Sequence, residues 1–239
     1  MFPSPTRATL YCDVVFITVA PKSISKGTPR SYRSTLRQQQ AEATRARVLA
    51  AAAELFATDG YARTTLAKIA AAAGVSAETV QGQGSKAALL IAAIEYAGFG
   101  VAGEKNVFNL DVGRHLLTID DLDGALDYVA ETTTDIHLRT APLAPALFGG
   151  ANADDELERY MEDLFASIKL QMHRMLDVFH DRGWLRADVS FDELLETMVV
   201  VCSVETYLRI THRDGLSVDT YRRWCRRMLA ETVAATNRK

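Results

Sequence analysis

The chain has 239 residues, 48% hydrophobic and 24% charged, which excludes a disordered polymer and supplies ample apolar material for a core. No apolar run reaches the roughly 18 residues of a membrane span, and three scattered cysteines, Cys12, Cys202 and Cys225, make neither a CxxC pair nor a disulfide framework, so a reducing cytoplasm is expected. The net charge of −3 hides an asymmetry: residues 1–100 carry 11 Lys/Arg against 6 Asp/Glu, and the other 139 carry 16 against 24. A basic end on an acidic body is the arrangement expected where one end meets phosphate.

Residues 1–35 hold Pro3, Pro5, Pro21 and Pro29 with Lys22, Lys26, Arg30 and Arg33, and show no helical periodicity. They are expected to form a flexible basic arm. The stretch ATLYCDVVFITVA within it is too short, and too weakly flanked by basic residues, for a signal peptide. From about Arg37 the pattern becomes helical, and Val48, Leu49, Ala52, Leu55 and Phe56 form one apolar stripe that Gly60 ends. Three shorter helices are then predicted, N-capped by Thr65, Ser76 and Ser85, with Gly74 and Gly82-Gln83-Gly84 as breaks.

After a less regular stretch near 98–120, helices are again the only signal: about 122–139, 143–148 and 154–182, then 190–212 and 217–237. In 154–182 one face carries Leu157, Tyr160, Met161, Leu164, Phe165, Ile168, Met172, Met175, Leu176 and Phe179. Ser190 with Glu193 makes a capping box for the next helix. The expected fold is therefore all-α: a three-helix N-terminal domain, residues 36–100, joined to a larger helical bundle, residues 101–239.

The segment TTLAKIAAAAGVSAETV holds two short helices separated by a Gly-containing turn, the pattern of a helix-turn-helix whose second helix enters the major groove. Ile69, Ala70, Val75 and Val80 supply the contacts that fix the angle, and Ala71, Ala72 and Ala73 permit close approach. Ser76 caps the second helix, turning its positive end toward phosphate. Arg45 and Arg63 stand beside this motif as phosphate partners.

TRARVLAAAAELFATDGYARTTLAKIAAAAGVSAETV, followed by GSKAALL, resembles the N-terminal signature of the TetR family of transcriptional regulators, over residues 44–94. The resemblance implies phosphate contacts at Thr65, Ser76, Gln81, Gln83 and Lys86, with Ala77, Glu78 and Thr79 nearest the base edges. It also implies a homodimer on a palindromic operator in double-stranded DNA, repression relieved by a small effector, and the last two helices as the dimer interface. One departure stands out. The family's aromatic cluster before Ser-Lys is replaced here by Gln81-Gly82-Gln83-Gly84, which puts the operator's identity and affinity in question.

The remaining chemistry-bearing residues have plainer roles. Gly82–Lys86 lacks the order of a phosphate loop, and His173 and His180, seven apart, have no metal-ligand companions. No metal, cofactor or enzymatic activity is expected. Met172, Met175 and Phe179, with Trp184 or Tyr207, are candidates to line a pocket for an apolar or amphipathic effector. The alternative reading is a helical ligand-binding or interaction module whose helix-turn-helix no longer reads DNA.

Overall fold

The computed structural model describes residues 29–99 and 111–235; the expected arm over residues 1–28 and the signal-peptide question lie outside them. Contacts divide the chain into residues 1–42 and 43–239. In the first unit residues 29–42 are helical, with Gln38 Nε2 donating to Glu42 Oε1 at 3.4 Å. The irregular segment expected through residue 35 therefore stops earlier. Pro29 opens the helix at a position where its missing N–H costs nothing, and neither Gly nor Pro follows until Gly60.

Helix α1 runs Pro29–Arg63 and kinks at Gly60, where φ is 74°. Then come α2 (Leu66–Ala73), α3 (Ala77–Gln81), α4 (Lys86–Phe99) and α5 (Asp111–Leu116). The rest comprises α6 (Leu122–Thr140), α7 (Ala144–Ala151), α8 (Asp155–Asp181), α9 (Phe191–Val201), α10 (Val204–Leu208), a π-helical turn Arg209–Arg213 and α11 (Val218–Thr232). Among the described residues the only β feature is an isolated bridge between Leu185 and Ala234. No described helix is long and apolar enough to cross a membrane.

Two apolar cores organise residues 43–239. The first gathers Val48, Ala52, Phe56, Ile69, Val80, Leu89 and Leu90, and reaches down the chain to Leu143, Leu147 and Leu157. The second gathers Leu126, Val129, Leu176, Phe179, Leu194, Met198, Tyr221 and Leu229. Helix α8 serves both: Leu157 in its first turn belongs to the first core, and Leu176 and Phe179 near its end to the second. A β-carbon on Gly150 would stand 2.6 Å from Leu157 Cδ1 and 2.8 Å from Tyr61 Cγ, so only glycine lets α7 approach this closely.

Three expectations change in detail. The helix expected over 190–212 is broken, because Cys202 closes α9 and the Ser203 hydroxyl accepts from Thr206 N to start α10. The apolar run Val199–Val204 conceals that serine cap. In α8, Phe165 is 40% exposed while Gln171 is buried, so the apolar stripe is interrupted in mid-helix. Of the alanines expected to permit close approach in α2, Ala73 is buried, whereas Ala71 and Ala72 face solvent.

Candidate nucleic-acid interface

Why α2 and α3 form is visible in their ends. Thr65 and Ser76 have extended backbones, and their hydroxyls accept from Lys68 N and Thr79 N, satisfying amides that no helical carbonyl reaches. Gly74 closes α2 in the left-handed conformation. Ile69, Ala70, Ala73 and Val80 then bury the inner faces, and Ala77, Glu78 and Gln81 stay exposed on α3. An exposed five-residue helix with a serine cap is what a major groove can admit.

The sequence-predicted residues fall into two sets. Ser76, Ala77, Glu78, Thr79 and Gln81 lie together on α3 and its cap, with the Ser76 and Thr79 hydroxyls 2.9 Å apart. Arg45 joins them, its Nη1 donating to Gln83 Oε1 at 3.1 Å across 38 residues of sequence. Gly84, at φ 136°, makes the turn that brings Gln83 back to α1; an L-residue there would be strained, and its β-carbon would meet Ala88 Cβ at 3.0 Å. Thr65 and Arg63 are exposed beside the start of α2.

Lys86 is placed differently. Its ammonium donates to the Tyr61 carbonyl at 3.1 Å and lies 3.9 Å from the Tyr61 ring centroid, so it is engaged within the protein. Lys68 is likewise held, by Asp59 Oδ2 at 2.8 Å and the Arg63 carbonyl at 2.9 Å. The Lys68 ammonium keeps the Asp59 carboxyl below its ordinary range.

Tyr61, missed as a functional position, ties these helices to the C-terminal bundle. Its hydroxyl donates to Asp154 Oδ2 at 2.5 Å, and Asp154 also caps α8 by accepting from Glu156 N and Leu157 N. The Tyr61 hydrogen bond lowers the Asp154 carboxyl, while burial followed by that carboxylate raises the Tyr61 phenol. Ser85, the cap of α4, donates to Glu156 Oε2 at 2.8 Å. The only sequence signal was Tyr61's place after Gly60; its partner lies 93 residues away.

Farther along α8 the structure opens a cavity of about 70 Å³ between α5, α6 and α8. Leu116, Tyr128, Ile136, Met172 and Met175 give it an apolar wall, and Thr132, Thr133 and Gln171 the polar groups; no charged side chain lines it. Of the five candidate pocket residues, Met172 and Met175 meet here. Phe179 instead packs edge-on against Trp184, with ring centroids 5.5 Å apart, and Tyr207 packs against Tyr221 at 5.0 Å and His137 at 5.5 Å. The described residues contain no cluster of three or more His, Cys, Asp and Glu able to hold a metal ion.

Comparison with known proteins adds to this geometry. Residues 48–93 match the model of the bacterial regulatory proteins of the tetR family. A transcriptional regulator from Saccharomonospora viridis in complex with choline is similar in fold, with a TM-score of 0.64 at 19% identity, over 82% of this chain and all of that one. NalD, the secondary repressor of the MexAB-OprM multidrug efflux pump in Pseudomonas aeruginosa, gives 0.60 at 20% identity, over 82% of this chain and 98% of its own. The triclosan complex of SmeT, repressor of the Stenotrophomonas maltophilia efflux pump SmeDEF, gives 0.60 at 18% identity, over 82% and 93%. No curated protein matches the sequence.

Proposed function

We propose that this chain, whose residues 48–93 match the tetR-family model, is a DNA-binding transcriptional regulator of that kind, a homodimeric repressor whose hold on a palindromic operator is released by a small uncharged molecule in the α5–α6–α8 cavity. The observation that carries the reading is the double duty of α8. Its cap is bonded to Tyr61 beside the helix-turn-helix, and Gln171, Met172 and Met175, about 25 Å along the same helix, line the cavity.

In a dimer the two α3 helices enter successive major grooves about 34–36 Å apart. Arg45, Arg63 and the cap hydroxyls of Thr65 and Ser76 hold phosphates, and Ala77, Glu78 and Thr79 face the bases. Gln81 and Gln83 stand where the family places aromatics; a glutamine carboxamide pairs with an adenine edge or a phosphate oxygen. Lys86 orients Tyr61 and reaches phosphate only on leaving it.

The cavity sets the effector's chemistry. A wall without charge favours an apolar or amphipathic molecule, with Thr132, Thr133 and Gln171 as its hydrogen-bonding partners. A cavity of about 70 Å³ is smaller than the roughly 300–1,000 Å³ of ordinary ligand pockets. A ligand of that size must therefore displace Met172 and Met175, whose unbranched side chains repack readily. The displacement moves α8, strains the Tyr61–Asp154 bond and favours a state with wrongly spaced recognition helices, by the ligand's differential affinity alone. Neighbouring folds with choline and triclosan bound support a small-molecule sensor here.

The test is selection of bound duplexes from a random DNA pool by the purified protein, at moderate salt so that nonspecific phosphate binding is weakened. An inverted repeat is expected. Folded, dimeric protein that enriches no motif overturns the reading, and assigns to Gln81–Gly84 the loss of operator recognition.

A further inference from the structure

The two glutamines on either side of Gly82 differ in what they still offer to DNA. Gln83 is half-buried, and its carboxamide oxygen accepts from Arg45 Nη1 at 3.1 Å. The backbone holds it in place as well, since Gln83 N donates to the Val80 carbonyl at 2.9 Å and Gly84 N to the Gln81 carbonyl at 3.2 Å. A guanidinium has donors only, so the bond fixes the amide: its oxygen faces α1, and its NH2 group is what remains. Pairing with adenine requires both amide atoms along one base edge, the oxygen on N6–H and the nitrogen on N7. Gln83 cannot present both while Arg45 holds its oxygen. Together the two side chains make a unit that donates hydrogen bonds and carries one positive charge, which matches the acceptor-only, charged oxygens of a backbone phosphate.

Gln81 is the opposite case. It ends α3 on the same exposed face as Ala77 and Glu78, four and three residues earlier, while Val80 turns inward. Ala77 has no hydrogen-bonding side chain, Glu78 has acceptors only, and the Thr79 hydroxyl is engaged with Ser76 Oγ at 2.9 Å. No Arg or Lys lies on α3. On this face Gln81 alone offers a donor and an acceptor side by side, and no described residue engages its carboxamide. The Glu78 carboxylate one turn away repels phosphate, so this face suits base edges better than the backbone.

We propose that the glutamines divide the work of recognition: Gln81 reads an adenine in each operator half-site through both atoms of its carboxamide, and the Gln83–Arg45 pair clamps a backbone phosphate without reading sequence. The division rests on the operator reading above and sharpens it. Family resemblance gives both glutamines to phosphate, whereas their surroundings here separate them. The clamp joins α1 to the turn after α3, so a phosphate held there sets the register in which Gln81 meets its base pair.

The experiment repeats the selection from random duplexes with the unmodified full chain and with Gln81→Ala, Gln81→Glu, Gln83→Ala and Arg45→Ala. Circular dichroism confirms folding, and affinity for the selected duplex is measured over a salt series. The unmodified chain should select an A·T pair at one fixed place in each half-site. Gln81→Ala should make that position alone degenerate, with about 5- to 150-fold less discrimination per half-site. Gln81→Glu should move the preference to cytosine, whose amino group a carboxylate accepts. Gln83→Ala and Arg45→Ala should keep the motif and weaken binding to all duplexes alike, and Arg45→Ala should lower the salt slope by about one per half-site.

A base preference lost in Gln83→Ala, or a uniform loss with an unchanged motif in folded Gln81→Ala, overturns the division. A selected motif with no adenine that depends on Gln81 also overturns it, and leaves the operator reading standing. Recovery of no motif by the unmodified chain removes both.

Discussion

The two cores of the chain differ in what they bury. The first, around Phe56, Tyr61 and Ile69, is otherwise made of alanine, valine, leucine and isoleucine, and beside it the buried Thr64 hydroxyl is satisfied by the carbonyls of Leu55 and Gly60 at 3.2 and 2.8 Å. The second encloses His137, Thr133, Gln171 and two thiols, and leaves His137 Nδ1 and the Tyr221 hydroxyl without conventional partners. An apolar core with its polar groups satisfied has one packing. A core with unpaired polar groups carries a cost that a rearrangement or a ligand can relieve. The first core suits a platform that must hold α3 at a fixed angle, and the second suits a part that must change.

The largest expected effect breaks the platform. Phe56 is almost wholly buried and stacks on Tyr61 with ring centroids 6.0 Å apart, at the point where α1, α2 and the Tyr61–Asp154 bond converge. Phe56→Ala should destabilise the protein by about 3–5 kcal/mol. Denaturant unfolding measures that loss, and operator binding should fall with it because the angle of α3 is no longer fixed. A loss below about 1 kcal/mol would show the first core to be as adaptable as the second.

A smaller effect, specific to the second core, is its pH dependence. Burial lowers the His137 pKa from its ordinary value of 6.5, and the hydrogen bond to the Cys202 carbonyl only partly opposes this. Nε2 donates to that carbonyl and Nδ1 has no partner, so nothing near the ring compensates a second N–H, and burial disfavours the charged form. A base with a depressed folded pKa takes up protons more readily when unfolded. Its contribution to stability is thus complete above about pH 6.5, and declines as pH falls below that value toward the folded pKa. Urea unfolding between pH 7.5 and 5 should show this decline, and His137→Gln should flatten it. A decline that persists unchanged in the variant assigns it to other groups.

The same contrast decides what could be read from sequence. The helix-turn-helix was legible because its information is local: Thr65, Ser76 and Ser85 cap helices a few residues away, and Gly74 and Gly84 make their turns in place. Helix α8 was legible between Asp154 and Gly183 for the same reason. The cavity was half legible, since Met172 and Met175 shared a recognisable stripe, but Tyr128 and Thr133 come from α6 and are placed by packing alone. Trp184 and Phe179 were drawn to each other instead. Tyr61 to Asp154, 93 residues apart, leaves no periodic trace. Ser203 had the right chemistry for a cap and was hidden by the valines beside it.

The smallest expected effect sharpens the comparison, because it sets like against like across the two regions. Ser76 and Ser203 play the same local role, since each hydroxyl accepts from the amide three residues on, at 3.1 Å, and stands next to a threonine hydroxyl. Replacing either by alanine should cost about 0.5–2 kcal/mol of stability, and thermal unfolding should not tell the two variants apart. Operator affinity should. Ser76 heads the exposed helix that meets DNA, so Ser76→Ala loses a phosphate contact in addition to its cap, and binding weakens beyond what the shared stability loss explains. Ser203→Ala, with an equal stability loss in the second core, should bind the same duplex at nearly the unmodified affinity. Equal binding by the two variants would mean that the Ser76 hydroxyl serves its helix alone, and that Arg45, Arg63 and the free amides of α3 make the phosphate contacts without it.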